Sequence, residues 1–485
     1  MSNSIKKNYV FNLIFQILNI VAPLVTMPYV SRVLGAYGVG EYSYTFSVVS
    51  YFLIFASLGT TLYGCREIAN NCSNKHKKSI IFWEIMVIRI VASILVISGY
   101  LSFIYFYDFQ LDEKVLLTVS VFYILGTTFD ISWFFQGEQN FQIITLITIF
   151  VKLSTIVVTF TFIHNANDTL KYVLLHALMA FINSLLYFIY LRGRIEKVSI
   201  KELNVGKHLL PVLILLVPQV SKEVYGVLDK TMIGEFYSDR ALNGYYEQAT
   251  NIVSMSMTLI TSLNIVMMSN LSQDYDEKKQ DIIRDKVANS FQFVWFLGIP
   301  LCAGIISVID IFVPLFFGKG YEPVVELVYI LTPRLLIIGI SNVIGIQYLI
   351  TLKRHAAFNT SIILGLLGNA LLNIILIPRF NVYGAAVATV ISEGIVTFTQ
   401  LMFVKKDIKF GLIFPNEIFK RFISTGIMLG SIWLIKRIVV GVPMLILLAI
   451  CVAFGVMVYV VVELLFDDTM MRMVLDVVKN KIVRS

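Results

Sequence analysis

The chain has 485 residues, of which 57% are hydrophobic and only 14% charged, whereas soluble domains carry about 25% charged residues. The shortfall excludes a water-facing surface of ordinary composition, and a soluble chain of this length would split into about two or three domains with polar linkers, of which none is visible. The net charge of +8 is scattered through short loops beside apolar runs, which fits orientation in a membrane better than nucleic-acid binding.

Apolar runs of roughly 20 residues, the length that crosses hydrocarbon as a helix, recur along the chain. At roughly 33 residues per span and gap, there is room for about fourteen. The first run follows Lys6 and Lys7. It is too long for a signal-peptide core and lacks a small-residue cleavage site, so it is expected to be an uncleaved span. The predicted spans are 9–31, 42–62, 80–106, 115–135, 142–163 and 170–191, then 209–233, 247–272, 289–316, 324–350, 356–377 and 383–404, and finally 415–435 and 442–466. Membrane barrels would show short alternating segments instead.

With the N-terminus taken as cytoplasmic, about 24 Lys and Arg residues fall in inner loops against about 8 in outer ones, a bias that sets orientation. Both termini are therefore expected on the cytoplasmic side. No loop exceeds roughly 20 residues, which leaves no room for a soluble catalytic domain, and no Gly-x4-Gly-Lys-Ser/Thr phosphate loop occurs. Cys65, Cys72, Cys302 and Cys451 form no CxxC pair and His is scarce. Neither a disulfide framework, a metal site nor a cofactor is expected.

Polar residues inside the spans carry the functional reading. In the first, Asn8, Asn12, Gln16 and Asn19 fall within about 80° of arc, followed by Pro23 and Pro28. These amides suit either interhelical hydrogen bonds or sugar hydroxyls, which donate and accept as amides do. The seventh span carries Gln219, Lys222, Glu223, Asp229 and Lys230. With Gly226 they occupy about 120° at 100° per residue. Four charges at mid-membrane cost roughly 10–14 kcal/mol on an insertion scale, against roughly 4–8 returned by the aliphatic residues. Asp229 and Lys230 are placed near the outer interface, which lowers that cost. This face must look at protein, as internal ion pairs, or at a water-filled cavity. Asn359, Asn369 and Asn373 repeat the theme in the eleventh span. Arg89, Asp130, Lys152, Asp310, Arg334 and Glu393 are further charges in apolar surroundings. A desolvated carboxylate titrates nearer neutral pH, which makes Asp130, Asp229 and Glu393 candidate ion-coupling residues. Tyr42, Tyr44, Tyr225, Tyr245 and Trp133 stand beside the polar faces, where rings can stack on sugars.

A weak internal repeat joins the halves. Arg32-Val33-Leu34-Gly35 leads to Gly40-Glu41-Tyr42-Ser43-Tyr44, and Thr231-Met232-Ile233-Gly234 leads to Gly244-Tyr245-Tyr246-Glu247-Gln248. Transporters are often built from two such halves. The expected architecture is all-α, with an N-lobe over 1–200 (spans 1–6), a C-lobe over 201–410 (spans 7–12), and spans 13–14 with a cytoplasmic tail over 411–485.

Several stretches in order along the chain resemble a known family. They are Pro28-Tyr29-Val30-Ser31-Arg32-Val33-Leu34-Gly35 with Gly38-Val39-Gly40-Glu41-Tyr42, and Asp130-Ile131-Ser132-Trp133-Phe134-Phe135-Gln136-Gly137. Leu228-Asp229-Lys230-Thr231-Met232-Ile233-Gly234 with Gly244-Tyr245-Tyr246-Glu247-Gln248-Ala249, and Leu376-Ile377-Pro378-Arg379-Phe380-Asn381-Val382-Tyr383-Gly384-Ala385-Ala386 with Ser392-Glu393, complete the set. The chain resembles the Wzx-type polysaccharide repeat-unit flippases, within the multidrug/oligosaccharidyl-lipid/polysaccharide exporter superfamily. The resemblance implies two six-helix lobes, usually with two extra helices, around a cavity alternately open inward and outward. It implies that oligosaccharide on polyprenyl pyrophosphate passes from the cytoplasmic to the outer leaflet of a bacterial cell membrane, with coupling to a proton or sodium gradient proposed for the family. Arg32, Lys222, Lys230 and Arg334 can meet the pyrophosphate. Asn12, Gln16, Asn19, Gln219, Glu223, Asn369 and Asn373 complete the expected substrate cavity. Expected partners are the lipid-linked oligosaccharide, membrane lipids, H+ or Na+, and a polysaccharide polymerase with other assembly proteins, not nucleic acid. A multidrug or metabolite antiporter would need a carboxylate-dominated cavity, and a membrane polymerase a long outer loop rich in Arg or His; neither feature is present. No enzymatic activity is expected.

Overall fold

The computed structural model describes the backbone of residues 2–276, 280–473 and 475, and the side chains of residues 21–216, 219–261, 285–473 and 475. Among these residues all extended regular structure is helical and no strand occurs. Ten segments are long and apolar enough to cross a membrane, or eleven when one bent helix is counted as a span. The chain divides into two compact units, Met1–Gly244 and Tyr245–Ser485.

The first unit opens with α1 (Ser2–Ser57), 56 residues long. A straight run of that length would reach about 84 Å, far beyond a hydrocarbon layer of about 30 Å. It does not run straight. Gly35 takes φ 68° and ψ 178° and breaks the helix into two arms, a conformation essentially confined to glycine. The outer turn expected over 32–41 is thus compressed to one non-helical residue. After Leu58 and Gly59, both at positive φ, come α2 (Thr60–Asn70) and α3 (Lys75–Phe106), the latter capped by Asn74 accepting from the Lys77 amide at 2.9 Å. The expected fourth span is three pieces, α4 (Leu111–Val119), α5 (Val121–Phe129) and α6 (Ser132–Gly137). Apolar length alone does not reveal these breaks. They are held by side chains, as when Asp130 caps α6 by accepting from the Ser132 amide at 2.9 Å. Then follow α7 (Phe141–Phe162), α8 (Thr169–Leu191) and α9 (Gly206–Phe236). The arms of α9, Gly206–Leu216 and Gln219–Phe236, are inclined at 45°. The start of α10 (Arg240–Asp276) closes the unit.

Glycines set the close approaches. A methyl on Gly64 would strike the Trp133 ring, and one on Gly137 would strike Cys65 O and Ile68, so α6 lies tightly on α2. Phe82, Ile85, Trp133, Phe134, Phe135 and Tyr187 fill the core around that contact. The two halves of the sequence repeat also meet. A Cβ on Gly40 would overlap the Arg240 carbonyl, and one on Gly244 would overlap the Ala36 carbonyl. Backbone therefore lies on backbone where α1 crosses the start of α10.

The second unit contains most of α10, then α11 (Gln280–Phe317), α12 (Glu322–Leu331) and α13 (Arg334–Asn342). A π-helical stretch, Val343–Ile350, continues α13, and α14 (His355–Val404) follows. Like α1, the 50-residue α14 is broken, here at Asn381 with φ 45°, a residue type that tolerates positive φ. The short α15 (Phe410–Ile413) leads to α16 (Ile418–Ile438) and α17 (Met444–Leu465). The apolar window of α17 has mean hydropathy 3.0 and only 17% of it is buried, the signature of a helix facing hydrocarbon. All four cysteines are free.

Replacing Gly40 by Ala should force α1 from α10 and cost about 1–3 kcal/mol of overpacking. Thermal unfolding of the purified protein should show a lowered midpoint for Gly40→Ala. Gly99→Ala, which meets nothing within 4 Å, should show no loss. Equal midpoints for the two variants would refute the close contact.

Candidate functional site

The polar face of α9 is graded across its width. One edge is sewn to α1, where Gln219 Nε2 donates to Ser57 Oγ at 3.0 Å and Thr231 Oγ1 donates to Ser47 Oγ at 3.0 Å. Asp229 is buried, and Lys230 is half-buried with its carbonyl accepting from Asn243 Nδ2 at 2.6 Å. Lys222, Glu223 and Gly226, at mid-helix, are exposed. Charges exposed at the middle of an apolar span need water rather than lipid beside them.

Both ends of α9 are anchored within the first unit. At the Phe236 end, the hydroxyls of Tyr44 and Tyr107 donate to the two oxygens of Glu235, each at 2.5 Å. That hydrogen bond, with burial and the Glu235 charge, holds the Tyr107 phenol above its ordinary range. The Arg240 guanidinium lies 3.8 Å from the Tyr44 ring centroid, donates to Gly234 O at 2.6 Å and pairs with Glu113. At the Gly206 end, fully buried Glu84 accepts from the Asn204 amide at 2.6 Å and from Lys207 Nζ at 2.9 Å. His208 Nε2 lies 2.7 Å from the same carboxylate, and the Tyr63 hydroxyl lies 2.7 Å from Nδ1. A neutral imidazole protonated on Nε2 satisfies both contacts.

A cavity of about 660 Å³ with a mixed polar and apolar lining lies in the first unit, walled by residues of α1, α2, α3, α5, α6, α7 and α8. Arg89, Asp130, Lys152, His176 and Asn183 stand on its wall among threonine hydroxyls and tyrosine rings. Arg89 is fully buried, and its donors are taken up by the surrounding helix ends. Nε donates to Thr60 Oγ1 at 2.6 Å, Nη2 to Thr61 Oγ1 at 2.7 Å, and Nη1 to the carbonyls of Thr127 (3.1 Å) and Asp130. The two carbonyls stand at the break after α5, so Arg89 serves as their cap, while the threonine hydroxyls at the start of α2 take its other donors. The Asp130 carboxylate accepts from Ser132 through both oxygens. Lys152 is half-buried on the cavity wall.

In the second unit, Arg334 at the start of α13 donates to Glu393 Oε1 on α14, from Nε at 3.1 Å and Nη2 at 3.0 Å. Asn373 Nδ2 donates to Asn369 Oδ1 at 3.2 Å. Gln400 extends this buried polar ladder, accepting from Ser341 Oγ at 3.0 Å and donating to Ser361 Oγ at 3.2 Å. Among the expected site residues, Arg334 meets Glu393 and Asn369 meets Asn373. Gln219, Lys222, Glu223, Asp229 and Lys230 share α9, Asp130 lines the cavity, and Arg32 is exposed before the Gly35 break. The side chains of Asn12, Gln16 and Asn19 lie outside the described residues. Glu84, Glu235 and Gln400 were passed over by the sequence reading, although Glu84 was legible as a charge inside the third predicted span. Among the described residues no group of three or more His, Cys, Asp or Glu is placed to hold a metal ion.

Comparison with known proteins places the chain. It is 24% identical over 422 residues to the "Putative O-antigen transporter" of Escherichia coli (strain K12), covering 83% of this chain and 97% of that protein. It is 26% identical over 252 residues to the "Probable low-salt glycan biosynthesis flippase Agl15" of Haloferax volcanii, covering 52% of each. In fold it is similar to the lipid II flippase MurJ in an inward closed conformation, with TM-score 0.74, 16% identity, and coverage of 95% of this chain and 98% of that one. It is also similar to an inward-facing multidrug resistance MATE family transporter, with TM-score 0.63, 10% identity, and coverage of 81% and 99%. The family model described as polysaccharide biosynthesis protein matches residues 5–272, more than half of the chain, and the protein therefore belongs to that family.

Proposed function

We propose that the protein flips polyprenyl-pyrophosphate-linked oligosaccharide repeat units from the cytoplasmic to the outer leaflet of a bacterial cell membrane, by alternating access, for surface polysaccharide assembly. The observation that carries this reading is the exposure of Lys222 and Glu223 halfway along α9, because water at that depth is what a sugar headgroup needs while its lipid tail stays in the bilayer. Cations such as Lys222 and Arg334 suit a pyrophosphate. The amides of Gln219, Asn369 and Asn373 suit sugar hydroxyls. Asp229 is a candidate for coupling to a proton or sodium gradient, with Asp130 and Glu393 as further candidates.

The proposed topology has fourteen crossings with both termini cytoplasmic. It is supported by the ten apolar segments, two of them broken runs of 50 residues, taken with the bent α9 and with α10. The bias of Lys and Arg toward one set of loops supports the orientation.

Lys222→Gln and Asp229→Lys should each abolish translocation while the protein still inserts and accumulates in the membrane. Wild-type flipping by both variants would remove the case for the α9 face. Deleting the gene and assaying lipid-linked oligosaccharide leaflet by leaflet should show accumulation on the cytoplasmic side. Normal sidedness with altered drug tolerance would instead identify an antiporter.

A further inference from the structure

We propose that Glu463, near the end of α17, is a proton-binding site, and that its proton holds the α16–α17 pair against α11. The residues involved stand apart from the polar faces described above, and the proposal does not depend on the flippase reading.

Glu463 is fully buried, and among the described residues neither of its oxygens accepts a hydrogen bond. The nearby charges are already balanced. Arg421 on α16, also fully buried, donates from Nε to Asp468 Oδ2 at 3.0 Å and from Nη2 to the same oxygen at 2.9 Å. Its remaining donors reach Gln292 on α11, with Nη1 2.9 Å from the carbonyl and Nη2 2.7 Å from Oε1. Asp468 uses its other oxygen to accept from the Met470 and Met471 amides at 2.8 and 3.2 Å. One guanidinium and one carboxylate thus satisfy each other, and Glu463 is a second carboxyl with no cation left for it.

The groups facing Glu463 are Arg421 and Ser424 on α16, Tyr459 on its own helix, and Asp468 beyond the end of α17. The neighbouring part of α11 offers Gln292, which is uncharged. Further out on α16, Glu417 accepts from Gln292 Nε2 at 3.3 Å and Lys420 donates to Phe466 O at 3.4 Å. The two hydroxyls beside Glu463 have spent their protons elsewhere. Ser424 Oγ donates to Lys420 O at 3.0 Å, and Tyr459 Oη donates to Phe296 O of α11 at 2.7 Å. What they turn toward Glu463 is lone pairs. An ionised carboxylate would face those lone pairs and the Asp468 charge without a donor, whereas a carboxylic acid can donate its O–H to one of them. Releasing the proton to water leaves a buried charge that only hydration can satisfy. Hydration requires α17 to move off α11, breaking the Tyr459–Phe296 hydrogen bond.

The test uses the full chain in detergent with Cys65, Cys72 and Cys302 replaced by Ala. Cys451 remains as the only thiol, fully buried in the cluster with Met428, Ile432 and Tyr459. In the Glu463→Gln background the rate of Cys451 alkylation reports only ionisation of the thiol. With Glu463 present, raising the pH from about 7 to about 10 should increase that rate at least about tenfold more than in Glu463→Gln, because local opening then accompanies proton loss. The infrared spectrum at neutral pH should show a carboxylic acid carbonyl band that disappears in Glu463→Gln. The same pH profile in both proteins, or the absence of that band, would overturn the proposal.

Discussion

A charge placed at bilayer depth must be paired, capped or given water, and that requirement sorts the charged groups of this chain by role. Arg89 is satisfied by two threonine hydroxyls and by carbonyls at a helix break. Arg421 and Asp468, both fully buried, cancel one another. Glu84 gathers an amide, an ammonium and an imidazole. Removing one partner of such a set is strongly destabilising, because the other is left as an uncompensated buried charge. These groups therefore hold the fold in place and are poorly suited to meet a passing solute. Lys222 and Glu223, exposed at mid-helix, have the opposite character, and they sit on an element whose ends are both fixed.

The helix breaks obey the same logic with backbone groups in place of charges. Every interruption of an apolar run leaves carbonyls and amides that hydrocarbon cannot satisfy. At Asp130 the chain answers with a side chain that caps the next helix and a carbonyl that Arg89 takes up. Irregular backbone is tolerated here because it is buried in protein, where Arg89 and the Asp130 carboxylate satisfy it beside a cavity. The Asp130–Gly137 stretch can thus be understood residue by residue. Asp130 makes the cap, Trp133, Phe134 and Phe135 fill the core, and Gly137 permits close contact with α2.

Much of this was legible in the sequence. Apolar run lengths located the long helical segments, and the gaps left between predicted spans at 32–41 and 378–382 contain the breaks at Gly35 and Asn381. The 100° periodicity of polar residues on α9 picked out the face where exposed charges lie. What the sequence concealed was pairing. Glu84 and His208 are 124 positions apart, and Tyr44 and Glu235 are 191 apart. A single sequence records each residue type but not which distant one it meets. The break of the fourth span at Asp130 was hidden for a related reason, since Arg89, which takes up the carbonyls there, comes from another helix. The repeat around Gly40 and Gly244 was readable as a likeness. That the two glycines touch follows only from the packing.

The anchors at the two ends of α9 differ in what separation would strand. At the Gly206 end, pulling the helix away would strip a fully buried carboxylate of three donors from one segment of chain, and a carboxylate so exposed to protein without donors is costly. At the Phe236 end, the contact between α1 and α10 is backbone on backbone at Gly40 and Gly244, with the buried Tyr44 ring packed on Gly234 beside it. The hydrogen bonds of Tyr44 and Tyr107 to Glu235 can be exchanged for bonds to water at modest net loss, and Arg240 keeps Gly234 O and Glu113 within reach. α9 is thus fixed at both ends by different means, a buried carboxylate with three donors at one and tyrosine hydroxyls with a guanidinium at the other.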